Sequence, residues 1–444
     1  MTDVAPAGPG ARITMGGRPG EPVPATGGRL RTRGHDRAVA AIQAMIAGRV
    51  PHAIVISGPA GIGKTTLALD LAAGLLCDDP ERQARPCRAC RGCRLVDRGR
   101  HPDVHRLAPG GPGDQIRIGA RERPEDGTVR RLASDLVLLP VEGGARVAII
   151  ERADRLTDDA QTALLKLLEE PPSGVTIVLC ADDEDRLMPT VRSRAARIRL
   201  GPVAIREIEA ILAEVGDADA PQSARLARIA GGRPGTARLL ARAPDAVAAR
   251  DEIGRSLLDM LGVSAAPRLA AARDLIARAT ELVRALDRAS VDDAPADGVA
   301  LAGTRRGRGT SAPARSVIPA PAPNTRAAAG EAVGDDESED DDGGTGRTAV
   351  PAAERRRATA VIVGLWRELA RDLLLVVLGQ ERNVRDPGLI DDLREAAAQL
   401  ADEGRALGAF LGRLDAAGEL LESNVRPELV LDTLLLGWPR GNRS

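Results

Sequence analysis

The sequence predicts an α/β protein: a mostly parallel sheet with helices on both faces, followed by segments that are helical alone. Two observations carry that expectation. From Arg33 to about Leu200 short apolar runs alternate with amphipathic stretches, the pattern of strands crossing over through helices. A glycine-rich loop, Gly58 to Thr65, joins the first of those runs to the first strongly apolar helical stretch.

Taken in chain order, residues 1–28 are Gly, Pro and Ala with scattered charges. They lack any helical or strand period and read as a disordered leader. Residues 29–200 form the first folded unit. Ala53-Ile54-Val55-Ile56 reads as a buried strand, and Thr65 to Leu76 as a helix with Leu67, Leu71 and Leu75 on one stripe. Residues 146–150 and 175–179 are two further core strands. Between them Asp158 to Glu170 repeats Leu at helical spacing, with Thr157 as N-cap and Pro171-Pro172 as the stop. Residues 201–245 read as a small all-helical unit with a Gly231-Gly232-Arg233-Pro234-Gly235 turn. A further helical region occupies 246–287 and 354–440. It is split at 288–353 by a stretch without periodicity that carries the acidic run Asp335 to Asp342, read as a disordered insertion and solvating tether.

Composition narrows the function. With 444 residues, 43% of them apolar, the chain has room for roughly two to four domains. A net charge of −1 gives no global basic field of the kind a free-standing nucleic-acid binder needs. Trp366, Trp438 and Phe410 are the only aromatics, too few for single-strand recognition by base stacking. The longest strongly apolar run, Leu373 to Leu378, is far short of a bilayer span, and no cationic-then-apolar leader opens the chain. A soluble cytoplasmic protein with no membrane partner is expected.

The loop Gly58-Pro59-Ala60-Gly61-Ile62-Gly63-Lys64-Thr65 fits G-x-x-x-x-G-K-[ST] at every fixed position, and Thr66 follows. Glycines allow successive N–H groups to face phosphate oxygens at a helix N-terminus. Lys64 supplies a compact charge to the β and γ phosphates, and the Thr65 hydroxyl is suited to Mg²⁺. Lys64 and Lys166 are the only lysines among 62 basic residues, so arginine, which is not equivalent in a tight phosphate cradle, is absent where it would fit worst. Nucleoside triphosphate binding is expected here; hydrolysis is a separate question.

Cys77, Cys87, Cys90 and Cys93 give C-x9-C-x2-C-x2-C. Four converging thiolates suit tetrahedral Zn²⁺ in a closed structural site. An iron–sulfur cluster would accept the same four ligands, whereas disulfides are disfavoured in a cytoplasmic chain. Cys180, alone at a strand end, reads as a small buried apolar residue.

Together these residues resemble the bacterial DNA polymerase III clamp-loader subunits. The phosphate loop, the four-Cys module, His101-Pro102-Asp103-Val104, Leu164-Leu165-Lys166-Leu167-Leu168-Glu169-Glu170-Pro171-Pro172 and Ser193-Arg194 occur in the family's order. The similarity is dense over about 33–245 and weak in the C-terminal helices, where Asn424 to Leu429 is similar to the last-helix pattern. The resemblance implies an AAA+ ATP-binding domain with a zinc knuckle at 77–93, a three-helix lid, and an all-α collar that joins a pentamer. It implies gamma/tau and delta subunits as partners, the sliding β-clamp reached through the complex, and primed DNA touched at its phosphates.

Within that family the residues lean toward the delta-prime stator over the gamma/tau motor. Motor subunits end the strand at 146–150 with Asp-Glu, the Glu orienting the lytic water; here the stretch is Glu151-Arg152-Ala153-Asp154. A guanidinium cannot accept a proton at neutral pH. Glu151 remains as a degraded metal-side carboxylate, and Asp154 is offset by two residues. Cys180-Ala181-Asp182 lacks the sensor Thr or Asn, and Gly235 stands at the lid's sensor arginine position. Arg194 matches the arginine that reaches into a neighbour's site, a role worth about 10³–10⁵ in rate elsewhere. The expectation is a subunit that holds ATP with Mg²⁺, turns it over poorly, serves a neighbour through Arg194, and has no polymerase chemistry of its own. Two alternatives remain open: an ATP-hydrolysing gamma/tau motor, and a scaffold whose loop binds no nucleotide.

Overall fold

The strands at 53–57, 146–150 and 175–181 are buried at every residue, as continuous apolar runs in the middle of a parallel sheet must be. The computed structural model describes residues 28–110, 114–142, 144–292, 351–400, 404–423 and 425–439. Apart from Gly28, 288–292 and 351–353, the expected leader and insertion lie outside the described residues, as does Asn424.

The first unit begins with α1 (Asp36–Ala47), β1 (Ala53–Ser57) and α2 (Lys64–Leu75). It continues through α3 (Arg91–Asp97), β2 (Val104–Leu107), α4 (Val129–Val137) and β3 (Arg146–Ile150). It ends with α5 (Asp158–Glu169), β4 (Val175–Ala181), α6 (Pro189–Arg192) and β5 (Ala196–Arg199). All strand pairs are parallel, in the order β2-β3-β4-β1-β5. On α5 the Thr157 hydroxyl accepts from Ala160 N–H, and Asp158 and Asp159 occupy the first turn, where carboxylates oppose the helix dipole favourably.

The sheet's two faces bury separate apolar clusters. One includes Leu132 and Leu136 of α4, Leu164 and Leu168 of α5, and Ile177. The other includes Ile42 of α1 and Leu67 and Leu71 of α2. Three short helices, α7 (Ile205–Val215), α8 (Ala220–Ile229) and α9 (Pro234–Arg242), contribute Leu212, Leu226 and Leu240 to that second cluster.

The C-terminal helical bundle comprises α10 (Pro244–Asp259), α11 (Ala265–Asp292), α12 (Ala352–Val377), α13 (Ile390–Ala398), α14 (Arg405–Glu422) and α15 (Pro427–Gly437). Helix α11 runs to Asp292, past the position where apolar periodicity fades in the sequence. The chain's three aromatics meet in this core: Trp366, Phe410 and Trp438 have ring centroids 4.7–5.3 Å apart, two of the three pairs edge-on. Arg268, 1% exposed, donates to the carbonyls of Leu261, Leu435, Trp438 and Pro439. It thereby satisfies the open end of α15. No helix among the described residues is long and apolar enough to cross a membrane.

Candidate functional site

Parallel pairing decides which residues meet at the sheet's carboxyl edge. Ser57 on β1 is in register with Ala181 on β4, and Ile150 on β3 with Leu179. Residues following 57, 150 and 181 therefore gather in one crevice, where open α/β sheets bind ligands.

From β1 the chain enters the Gly58–Thr65 loop. Gly58, Gly61 and Gly63 all have positive φ; a Cβ on Gly58 would lie 2.5 Å from Leu200 O, so only glycine fits. His35 Nε2 donates to Ile62 O at 3.0 Å and ties the loop to the residue preceding α1. Lys64 opens α2 and is 7% exposed. Its ammonium donates to Gly58 O at 2.6 Å, Pro59 O at 2.9 Å and Asp182 Oδ1 at 2.6 Å. Beneath it Cys180 is 1% exposed. Burial pushes its thiol up to about 12, with Glu151 and Asp182 adding to the rise while Lys64 and a hydrogen bond with the Thr65 side chain oppose it. This is a packing residue, not a nucleophile.

The carboxylates at this edge are all engaged. Glu151 accepts from Arg106 Nε at 2.8 Å. Arg152 adopts φ +49° and turns to Asp114 at 2.5 Å. Asp154 does not face the loop; its Oδ1 accepts the Asp182 N–H at 2.7 Å. Glu184 accepts from Ser57 Oγ at 3.1 Å.

Helix α9 closes over the loop. Gly235 N–H donates to Gly61 O at 2.8 Å, and a Cβ at 235 would lie 2.9 Å from that oxygen. Neither nearby arginine points into the loop: Arg233 donates to Ala230 O at 2.8 Å and pairs with Glu368 at 3.5 Å, while Arg238 faces Asp217 at 3.9 Å. Arg194 lies between α6 and β5, half-exposed, paired with Glu169 at 2.8 Å and donating to Thr190 O at 2.9 Å. It stands apart from the described contacts of the loop.

The four cysteines converge. Cys77 follows α2, Cys90 caps α3 and Cys93 lies in its first turn. Their sulfurs all lie within 4.8 Å of one another. Cys87 N–H points to Cys77 Sγ, Cys90 N–H to Cys87 Sγ and Cys93 N–H to Cys90 Sγ, each at 3.4 Å. Backbone donors aimed at sulfur favour thiolates, so the donor set fits a tetrahedral cation. Burial pushes Cys77 and Cys93 up; Cys87, though burial opposes it, is held down to about 7 by the backbone at Ala89 and Cys90. The module docks through Arg88, which bridges Asp97 at 2.6 Å and the buried Asp70 of α2.

Of the residues the sequence singles out, the structure brings the loop residues together and the four cysteines together, and leaves Arg194 apart from both; the partners Asp182, Arg106 and Asp114 were missed. Register supplies the missing signal for Asp182, since the residue after β4 emerges beside the residue after β1.

A parallel sheet in the order β2-β3-β4-β1-β5, a glycine-rich loop between β1 and α2, a small helical unit closed over that loop, and a C-terminal helical domain define a P-loop protein of the AAA+ class. Residues 34–204 match the family described as DNA polymerase III, delta subunit. Through this segment the chain is similar to the clamp-loader subunits of DNA polymerase III. It is 34% identical over 203 residues to DNA polymerase III subunit delta' of Pseudomonas aeruginosa, covering 45% of this chain and 59% of that protein. It is 32% identical over 183 residues to DNA polymerase III subunit tau of Salmonella typhimurium, covering 40% of this chain and 27% of that one. The chain thus spans less than two thirds of the relatives it matches. Among solved structures it aligns with a DNA polymerase III gamma subunit-related protein of Thermotoga maritima at a TM-score of 0.37 and 14% identity, over 90% of this chain and 97% of that one.

Proposed function

We propose that this chain is a delta-prime-like stator of a bacterial clamp loader, acting in the cytoplasm in a pentamer with gamma/tau and delta subunits. It holds ATP and Mg²⁺ on Gly58 to Thr66 and hydrolyses ATP poorly. Loop N–H groups and the start of α2 receive the phosphates, Lys64 reaches the β and γ groups, and Thr65 is the protein ligand to Mg²⁺. One observation carries the weak-hydrolysis reading: Glu151, Asp154 and Asp182 are each bound by an arginine, a backbone N–H or Lys64. Each of them already answers to another group, which weakens it as a base poised to orient an attacking water.

Arg194 serves a neighbouring subunit's γ-phosphate, with Glu169 presenting it at the surface until the neighbour arrives. Cys77, Cys87, Cys90 and Cys93 hold one structural Zn²⁺. With its partners the chain helps load the sliding β-clamp onto primed DNA through phosphate contacts. Reconstitution tests the assembly role. Co-purification with gamma/tau and delta subunits of the same bacterium as one complex that places the clamp on primed DNA is expected. A chain that stays monomeric in that mixture would contradict it.

A further inference from the structure

We infer that Asp182 is a specificity-determining residue of the phosphate site: its carboxylate occupies Lys64 in competition with a terminal phosphoryl group, so the loop holds a nucleoside diphosphate about as well as a triphosphate. The inference rests on the reading of residues 58–66 as a nucleotide site and names what that site discriminates.

Asp182 is fixed by the sheet itself. Ser57 and Ala181 are register partners, and Gly58 N–H donates to Ala181 O at 3.2 Å. The residue after Ala181 therefore emerges alongside the first residue of the loop. Its backbone N–H is held by the buried carboxylate of Asp154, and its own carboxylate by the buried ammonium of Lys64. An ammonium has three donors. All three are used here, on Gly58 O, Pro59 O and Asp182 Oδ1.

A bound nucleotide must rearrange those contacts, and it does so unequally. The β-phosphate is received by loop N–H groups and the helix terminus as well as by Lys64. It therefore has compensation for displacing the carbonyls. The γ-phosphate has to share Lys64 with a carboxylate that already holds one proton of the ammonium, and it meets that negative charge at close range. Nothing on α9 offsets this, since Gly235 carries no side chain and Arg233 and Arg238 face Glu368 and Asp217. The other acids nearby, Glu151 and Glu184, are negative as well, and each has its own partner, Arg106 for one and Ser57 for the other.

The test titrates a fluorescent ADP and a non-hydrolysable fluorescent ATP analogue, both with Mg²⁺, into the full chain and into Asp182→Asn, with Lys64→Ala as control. The wild-type chain should bind the two within about threefold, while Asp182→Asn tightens the triphosphate about tenfold and the diphosphate by less than about threefold. Asp182→Ser, neutral but still polar, should repeat that shift. Unchanged relative affinities in both variants, with both nucleotides still binding, would overturn the selector role and leave the nucleotide site standing. Signals from the wild-type chain no different from those of Lys64→Ala would remove the nucleotide site and the selector together.

Discussion

Gly235 at the head of α9 donates its N–H to Gly61 O of the phosphate loop at 2.8 Å, so the helical unit is seated on the loop backbone with no side chain between them. This contact also accounts for the glycine at position 235. A Cβ at 235 would sit 2.9 Å from Gly61 O, and one at Gly61 would sit 2.4 Å from Thr236 Oγ1. Gly235→Ala should cost about 1–3 kcal/mol of stability through overpacking. Hydrogen exchange at the 235 amide should accelerate in step, and wild-type protection in the variant would contradict the seating described.

The cysteine module should contain one Zn²⁺ per chain by elemental analysis, and Cys93→Ser should lose it. Once the metal is removed with a chelator, alkylation should begin at Cys87, the thiol held near about 7. Cys93 and Cys180, both pushed up by burial, should react last. Uniform alkylation of all five thiols at neutral pH would show that the backbone donors do not shape the cluster.

Arg194→Ala should leave the assembled complex intact by gel filtration. Hydrolysis at the neighbouring site, measured in single turnover, should slow about 10³-fold or more. Glu169→Ala, which removes the partner at 2.8 Å, should preserve that rate if the proposed finger acts on a phosphate in the neighbour. An unchanged rate in Arg194→Ala would end the finger role.

A buried ion network joins α8, α10, α12 and the turn before α13. Asp386, 2% exposed, takes Arg225 at 3.0 Å and Arg250 at 2.5 Å, while Arg250 also reaches Glu368 at 3.3 Å. Removing Asp386 leaves Arg225 only Asp251 and Arg250 chiefly Glu368 as acceptors, so Asp386→Ala should destabilise by less than the about 3–5 kcal/mol of a buried pair left with no other partner. Burial opposes ionisation of Asp386, but Arg225 and Arg250 hold its carboxyl below the usual value of 3.8. A depressed pKa contributes stability that is complete above 3.8 and is lost as pH falls through the folded value. Acid denaturation below about pH 4 should therefore be shallower in Asp386→Asn than in the wild-type chain.

Legibility in the sequence followed burial. Strands β1, β3 and β4 are buried at every position and stood out as apolar runs. Strands β2 and β5, Val-His-Arg-Leu and Ala-Arg-Ile-Arg, sit at the sheet's edges with one fully buried position each, and no apolar run marks them. The phosphate loop and the cysteine spacing were legible because each is local in sequence. Lys64–Asp182 and Arg225–Asp386 span 118 and 161 residues, and in the sequence Asp182 stands out only as part of a stretch that lacks a sensor Thr or Asn. The aromatics give a third case: composition excluded base stacking, and packing buries all three rings in the C-terminal core.

A site that grips nucleotide without cutting it can be tested with one preparation of the 444-residue chain. Equilibrium binding of a fluorescent ATP analogue and steady-state phosphate release should be measured side by side, with Lys64→Ala as reference. Saturable binding that is lost in Lys64→Ala, together with phosphate release no faster than that variant's, is the predicted result. Sustained release by the wild-type chain alone, abolished by Lys64→Ala, would contradict the account.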